Sequence, residues 1–219
     1  GMINSVGQPV FREASEDRQR LQNIFRKLMR FTAFVSFPAM LGLAIVSQEL
    51  IVISITEKWL PCVPVMQILC VWGAFMPIST LYSNLMNSIG RPNVYMWNTI
   101  ALGIFQLLCV WGSYPYGLNI MLIVYTAANI FWLLIWHYFA HKHIGISLFN
   151  TLKDIAPYLI ISVAVMTFTY WVAGYVKNIY LSLLVKIALA ASLYIFIFLW
   201  LVVWLGTGFF LKKQGKVKQ

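Results

Sequence analysis

The stretch VYMWNTIALGIFQLLCVWGSYPYGLNIMLIVYTAANIFWLLIWHYFA, residues 94–140, contains no Asp, Glu, Lys or Arg. A helix needs about 20 apolar residues to cross a bilayer. The stretch is therefore long enough for two crossings, 94–114 and 117–140, with a turn between Tyr114 and Gly117. Lipid offers the backbone no hydrogen-bond partner, so only helices and closed barrels can span it. Barrel strands are short and alternate apolar with polar residues, whereas these runs are unbroken. The reading is a helical hairpin in a membrane.

Working outward, four further stretches qualify as spans: 32–55, 62–89, 155–176 and 181–210. The expected fold is all-α, a polytopic membrane protein with six transmembrane helices. Composition agrees. Of the 219 residues, 61% are hydrophobic and 10% charged, against roughly 45–50% and 25% in soluble domains. That excludes a water-soluble globular domain and a disordered chain. Three Cys exclude a disulfide-rich module. Cys62, Cys70 and Cys109 lie in or beside spans and read as small packing residues.

The charge balance is +10. Its distribution points to membrane topology rather than nucleic acid, because no recognition motif accompanies it. Arg12, Arg18, Arg20, Arg26, Lys27, Arg30, Arg91, Lys142, Lys153, Lys212, Lys213, Lys216 and Lys218 fall on one side of the six spans. Only Lys58 and Lys177 fall on the other, and Lys186 lies within a span. The positive side is cytoplasmic, which places both chain ends there. Trp59, Tyr114, Tyr116 and Tyr175 near span ends fit an interfacial aromatic belt.

Residues 1–30 read as a cytoplasmic linker that includes the tail of a preceding span. The apolar stub 2–6 before Pro9 is too short to cross by itself. Within the linker, Leu21, Ile24, Phe25, Leu28 and Met29 share one helical face, with Ser15 as N-cap and Glu16 and Asp17 in the first turn. Such a helix either lies on the inner leaflet or couples two helical bundles. Residues 31–211 form the six-span bundle and 212–219 a basic cytoplasmic tail. The start at Gly1-Met2 reads as a cloning scar or an internal start, and the chain is expected to be a fragment.

Polar groups inside spans mark candidate sites, because lipid disfavours them. Lys186 lies about 7–8 Å deep at 1.5 Å per residue. It either snorkels to the outer interface or faces a cavity that attracts an anionic substrate. Glu49 either reaches interfacial water, paired with a neighbouring cation, or couples transport to protons or sodium. Gln67, Asn84, Asn87, Asn98, Gln106 and Asn129 either bond between helices or line a polar cavity. Ser79, Thr80, Ser83 and Ser88 make residues 62–89 unusually polar, and Pro64 and Pro77 interrupt them, which marks this span as interior rather than lipid-facing. His137, His141 and His143 read as a wet cytoplasmic helix end rather than a metal site. No phosphate loop, nucleophile elbow or paired carboxylates occur, so no catalytic residue, metal or cofactor is expected and the chain reads as a non-enzyme.

Several strings in order carry a family resemblance: QPVF, RLQNIFRKLMRF, FPAMLGLAIVSQELIVISITEKW and PCVPVMQILCVWGAFMPISTLYSNLMNSIGRPNVYMWNTI. Residues 9–98 so resemble the second half of bacterial polysaccharide and O-antigen flippases, members of the multidrug/oligosaccharidyl-lipid/polysaccharide exporter superfamily. The matching elements are Phe37-Pro38, Trp59, Pro64 with Gln67-Ile68-Leu69, and Gly90-Arg91. Thr56 stands where the family has a turn Gly. From residue 100 onward only hydropathy and topology match.

The resemblance implies most of one bundle of a two-bundle transporter in the bacterial inner membrane. Its substrate would be a polyprenyl-diphosphate-linked oligosaccharide, flipped by alternating access. Lys186 and Arg91 would then attract the diphosphate, Gln67, Asn84 and Asn87 would contact the glycan, and Glu49 would couple an ion. The partners implied are membrane lipids, the N-terminal bundle, and a glycan polymerase and export proteins. The alternatives are an exporter of small molecules or cell-wall precursors from the same superfamily, or a non-catalytic scaffold of a glycan-assembly complex.

Overall fold

The computed structural model of the protein describes Phe11, residues 17–176 and residues 178–196. Ser15, Lys177, the last part of the sixth expected span and the basic tail lie outside the described residues. Among the described residues six helices are long and apolar enough to cross a membrane. They are α1 (Arg18–Ser54), α2 (Val63–Ser88), α3 (Pro92–Ser113), α4 (Leu118–Ile144), α5 (Leu148–Ala173) and α6 (Ile179–Phe196). Short 3-10 helices, Glu57–Cys62 and Tyr114–Tyr116, fill two of the turns. No strand occurs among the described residues.

Local chemistry sets the helix ends. Asp17, expected in the first turn, caps α1 by accepting from the Gln19 and Arg20 amides at 2.9 and 3.1 Å. Pro64 and Pro92 stand in the first turns of α2 and α3, where a missing N–H removes no helical bond. Gly145 ends α4 in the left-handed region, φ 77°. Pro64 therefore starts α2 instead of interrupting it, and α2 continues through Pro77.

The expected linker helix and first span are one continuous helix. Leu21, Phe25, Met29, Ala33 and Phe37 recur every fourth residue along it, and all are buried in the bundle core. The apolar face of the linker segment is thus covered by protein and not by a leaflet.

Against this row lie Ala74, Ile78, Leu81 and Leu85 of α2 and Trp132, Trp136, Ala140 and Ile144 of α4. Water does not drive helices together within lipid, so close approach and hydrogen bonds hold them. Ala33, Ala74 and Ala140 allow that approach, and Ser36 Oγ donates to the Ala74 carbonyl at 2.7 Å. Helix α1 touches α2 and α5, α2 touches α4, and α4 touches α3. Helix α3 is the most exposed: Trp97, Ile104, Leu107 and Trp111 all face outward. That face is purely apolar, as contact with lipid tails requires. Trp59, Tyr114, Tyr116 and Tyr175 are exposed at helix ends, in keeping with the aromatic belt.

Candidate functional site

At the basic end of the bundle, α1 grips the α4–α5 connection. Arg18 Nε donates to the Ile144 carbonyl at 3.0 Å, and Gln22 Nε2 donates to the same oxygen. Arg26 forms a two-pronged pair with Asp154, with Nε at 2.6 Å and Nη2 at 3.1 Å, and Arg30 adds a contact at 3.3 Å. Asp154 escaped the sequence reading because it falls just outside the fifth expected span. Its signal was that of a lone acid opposite a basic helix.

Lys186 and Glu49, assigned separate roles from sequence, meet. Lys186 Nζ lies 2.5 Å from Glu49 Oε1 and donates to the Ile45 carbonyl at 2.9 Å. Ser182, one turn earlier on α6, donates to the same Glu49 oxygen at 2.9 Å. Both charged side chains are buried. Glu49 Oε2 has no hydrogen-bond partner among the described residues. Lys186 Nζ also stands 5.5 Å from the centre of the Tyr170 ring. The pair is internally neutral and joins α1 to α6. A groove of about 520 Å³ runs beside it between α1, α5 and α6, with Pro38, Gly42, Met166 and Tyr194 among its almost wholly apolar lining.

The amides divide between two tasks. Asn98 Oδ1 accepts from Trp132 Nε1 at 2.6 Å, and Gln106 Nε2 donates to Asn129 Oδ1 at 2.7 Å. These staple α3 to α4. Gln67 Nε2 reaches the Ala44 carbonyl at 3.3 Å, joining α2 to α1 near the opposite end from Arg91. Asn84 and Asn87 instead border a groove of about 370 Å³ between α2 and α3. Its other lining residues are Trp72, Met76, Ser79, Thr80, Ser83 and Tyr95.

At 3.6 residues per turn, Trp72, Met76, Ser79, Thr80, Ser83 and Asn87 occupy one face of α2. The opposite face, with Ala74, Ile78, Leu81 and Leu85, is in the core. Thr80 and Ser83 donate back to the Met76 and Ser79 carbonyls at 3.1 and 3.2 Å. Their oxygens keep lone pairs for an acceptor role. The sequence marked this helix as polar but did not place Trp72 or Tyr95 beside the hydroxyls. That juxtaposition depends on how α2 and α3 diverge.

Arg91 is exposed in the α2–α3 turn, one turn beyond Asn87 and one before Tyr95. His143 lies near both Arg91 and Lys142. Of the other histidines, His137 is not at a wet helix end: it is buried, and its Nδ1 lies 3.1 Å from Tyr82 Oη. His141 Nδ1 bonds the Ile146 carbonyl. Among the described residues no three His, Cys, Asp or Glu side chains come together as metal ligands.

Six membrane-length helices, an outward polar face on one of them and a basic end define a polytopic helical membrane protein with a hydrophilic groove. Comparison with known proteins gives it relatives. The family described as polysaccharide biosynthesis proteins matches residues 1–64. Over 105 residues the chain is 30% identical to an uncharacterized membrane protein in the cps region of Klebsiella pneumoniae, covering 48% of this chain and 22% of the relative. It is also 30% identical to lipopolysaccharide biosynthesis protein WzxC of Escherichia coli K12, over 48% of this chain and 21% of the relative. Teichuronic acid biosynthesis protein TuaB of Bacillus subtilis is 25% identical over 48% of this chain and 22% of its own. The matched stretch thus spans about a fifth of these relatives' length. No solved structure matches the chain. The chain is a helical membrane protein similar to membrane proteins of polysaccharide biosynthesis.

Proposed function

We propose that the chain is part of a bacterial inner-membrane flippase. It would carry a polyprenyl-diphosphate-linked oligosaccharide across the bilayer by alternating access, for cell-surface polysaccharide synthesis. The observation that carries this reading is the polar face of α2 inside a membrane-length helix. Hydroxyls and amides do not face lipid tails without a large penalty. They suit a cavity for a hydroxyl-rich cargo, and the named relatives work in polysaccharide biosynthesis.

In this reading the basic end is cytoplasmic. A second bundle closes the cavity, the lipid tail stays in the bilayer, and no catalytic step is involved. Glu49 neutralises Lys186, so the diphosphate contact falls to the exposed Arg91. The pair itself locks α6 to α1, and Glu49 remains the candidate for ion coupling.

The test follows labelled lipid-linked glycan in cells lacking the gene and in cells carrying the full-length protein. Flipping requires the glycan to collect on the inner leaflet without the protein and to reach the outer leaflet with it. If loss of the protein instead stops glycan synthesis at the inner face, the reading is wrong and an enzyme or scaffold takes its place.

A further inference from the structure

Where α1 meets α5 at the basic end, the charges do not balance. Arg26 and Arg30, one turn apart on α1, both reach the carboxylate of Asp154, at 2.6 and 3.3 Å. Two guanidiniums against one carboxylate leave one positive charge unmatched, whereas Glu49 and Lys186 neutralise each other. Like charges gathered around one acid repel, and a further anion relieves that repulsion. Exposure is divided in the same way. The Asp154 side chain is 7% exposed, but those of Arg26 and Arg30 are 32% and 46% exposed. The acid thus holds the two cations from the buried side, and their guanidiniums carry more donors than one carboxylate can use. Among the described residues no second carboxylate pairs with either arginine.

The level of this cluster in the molecule identifies the missing anion. Leu148, Phe149 and Leu152 are exposed apolar side chains at the start of α5, nearer the basic end than Asp154. Asp154 follows Leu148 by about 9 Å at 1.5 Å per residue. On α1, Phe31 and Val35 are exposed just beyond Arg30. Apolar surface therefore flanks the arginines on both sides along the helix axes, so they stand at the lipid boundary and not in open water. One turn deeper, Phe34 and Tyr158 meet edge to face at 6.2 Å and close the seam. Lys27 and Lys153, both exposed, are next in sequence to Arg26 and Asp154. The sidedness of positive charge in membrane proteins explains why cations gather at one end. It does not explain why two of them converge, part-exposed, on one buried acid. The anion that a membrane presents at this depth is the phosphodiester of a lipid headgroup, whose oxygens arginine binds in pairs.

We infer that the α1–α5 seam binds the headgroup of an anionic phospholipid from the leaflet at the basic end. Arg30 and Arg26 hold the phosphodiester, Lys27 and Lys153 add positive charge beside it, and the acyl chains run along Phe31 and Val35. Asp154 positions the arginines and does not touch the lipid. Bound in this way, the lipid ties α1 to α5. The inference stands apart from the transport reading, because it concerns a resident membrane lipid and not a cargo.

Native mass spectrometry of the purified full-length protein reads the site directly. Dioleoyl phosphatidylglycerol and dioleoyl phosphatidylcholine compete at equal concentration for the parent and for Arg30→Gln, Arg30→Lys and Lys142→Gln variants. Lys142 is an exposed cation at the same end, on α4 and outside the seam. The parent should retain phosphatidylglycerol severalfold over phosphatidylcholine. Arg30→Gln should lose most of that preference and Lys142→Gln should keep it. Arg30→Lys, which keeps the charge but not the paired donors, should fall between. Phosphatidylglycerol should also raise the melting temperature of the parent more than that of Arg30→Gln. The comparison of two lipids on the parent needs no variant, so a folding defect in Arg30→Gln leaves the test intact.

Equal retention of the two lipids by the parent overturns the inference. So does an equal loss of preference in Lys142→Gln, which would make the attraction a diffuse property of the basic end. If inorganic phosphate raises the melting temperature as far as phosphatidylglycerol does, the seam takes free anions and the lipid is not its occupant. If polyprenyl phosphate displaces phosphatidylglycerol when far less abundant, the seam belongs to the cargo, and the inference falls while the transport reading stands. Lipid preference in a parent that flips no glycan upholds the seam and overturns the transport reading alone.

Discussion

Pro38 has no N–H to donate, so the Phe34 carbonyl four residues earlier loses its helical partner. Within a membrane no water replaces it. The Tyr194 hydroxyl of α6 does so at 2.8 Å, and the Phe34 and Tyr194 rings stack with centroids 5.3 Å apart. One residue of α1 thereby creates the docking point for a helix about 160 positions later. The Glu49–Lys186 pair is the second such point. A buried pair broken on one side leaves an uncompensated charge, which costs about 3–5 kcal/mol. Lys186→Met and Glu49→Gln should each lower the melting temperature of the purified protein clearly, and the double variant should lose less than the two losses added. Additive losses would mean the two side chains act independently. The same three proteins separate charge from linkage in transport. If the orphaned carboxylate causes the defect, the double variant recovers part of the flipping that Lys186→Met loses; if the link itself matters, it recovers none.

At the scale of elements, the α4–α5 connection depends on Gly145. Its φ of 77° is easy for glycine and unfavourable for residues with a side chain. A Cβ there would also stand 2.7 Å from Arg18 Nη2, so the guanidinium would have to leave the Ile144 carbonyl. Gly145→Ala should destabilise the protein by about 1–2 kcal/mol from the backbone alone, and more through loss of the Arg18 clamp. Thermal unfolding in detergent measures both. In an Arg18→Ala background the Gly145→Ala penalty should shrink, and an unchanged penalty would show that the clamp plays no part. The elements themselves were legible in the sequence. The expected spans follow from hydropathy, whereas Pro64, Pro92 and Gly145 were placed at helix ends only by the structure. The continuity of α1 across the linker was not legible. The amphipathic face of residues 18–30 has the same pattern whether protein or a lipid leaflet covers it.

For the whole molecule, membrane-facing and cavity-facing surfaces should respond oppositely to charge. Ile104 is 56% exposed on the apolar face of α3. A Lys in the middle of a lipid-facing helix costs about 2.5–3.5 kcal/mol in insertion. Ile104→Lys should therefore reduce the inserted yield of the full-length protein, while Ser83→Lys on the polar face of α2 should leave insertion near the parent level and lower glycan flipping. Membrane fractionation and the flipping assay read the two effects. Equal insertion defects would place the α2 face against lipid and remove its functional meaning.

Hydrophobic runs, with the placement of Lys and Arg between them, determined by themselves that this is an all-α membrane protein with six membrane-length helices among the described residues, because those features act within one segment at a time. Polar groups inside spans were also visible there as candidates: Lys186, Glu49, Asn84, Asn87 and Gln67. Which of them meet was decided only by the tertiary structure. Lys186 and Glu49 are far apart in sequence and neutralise each other. Asn98, Gln106 and Gln67 are used up in holding helices together. Asn84 and Asn87 border a groove whose other wall, Tyr95, belongs to the next helix. Hydropathy records how strongly a residue avoids lipid but not which neighbour relieves it, and that choice is made by the rotation and crossing of packed helices.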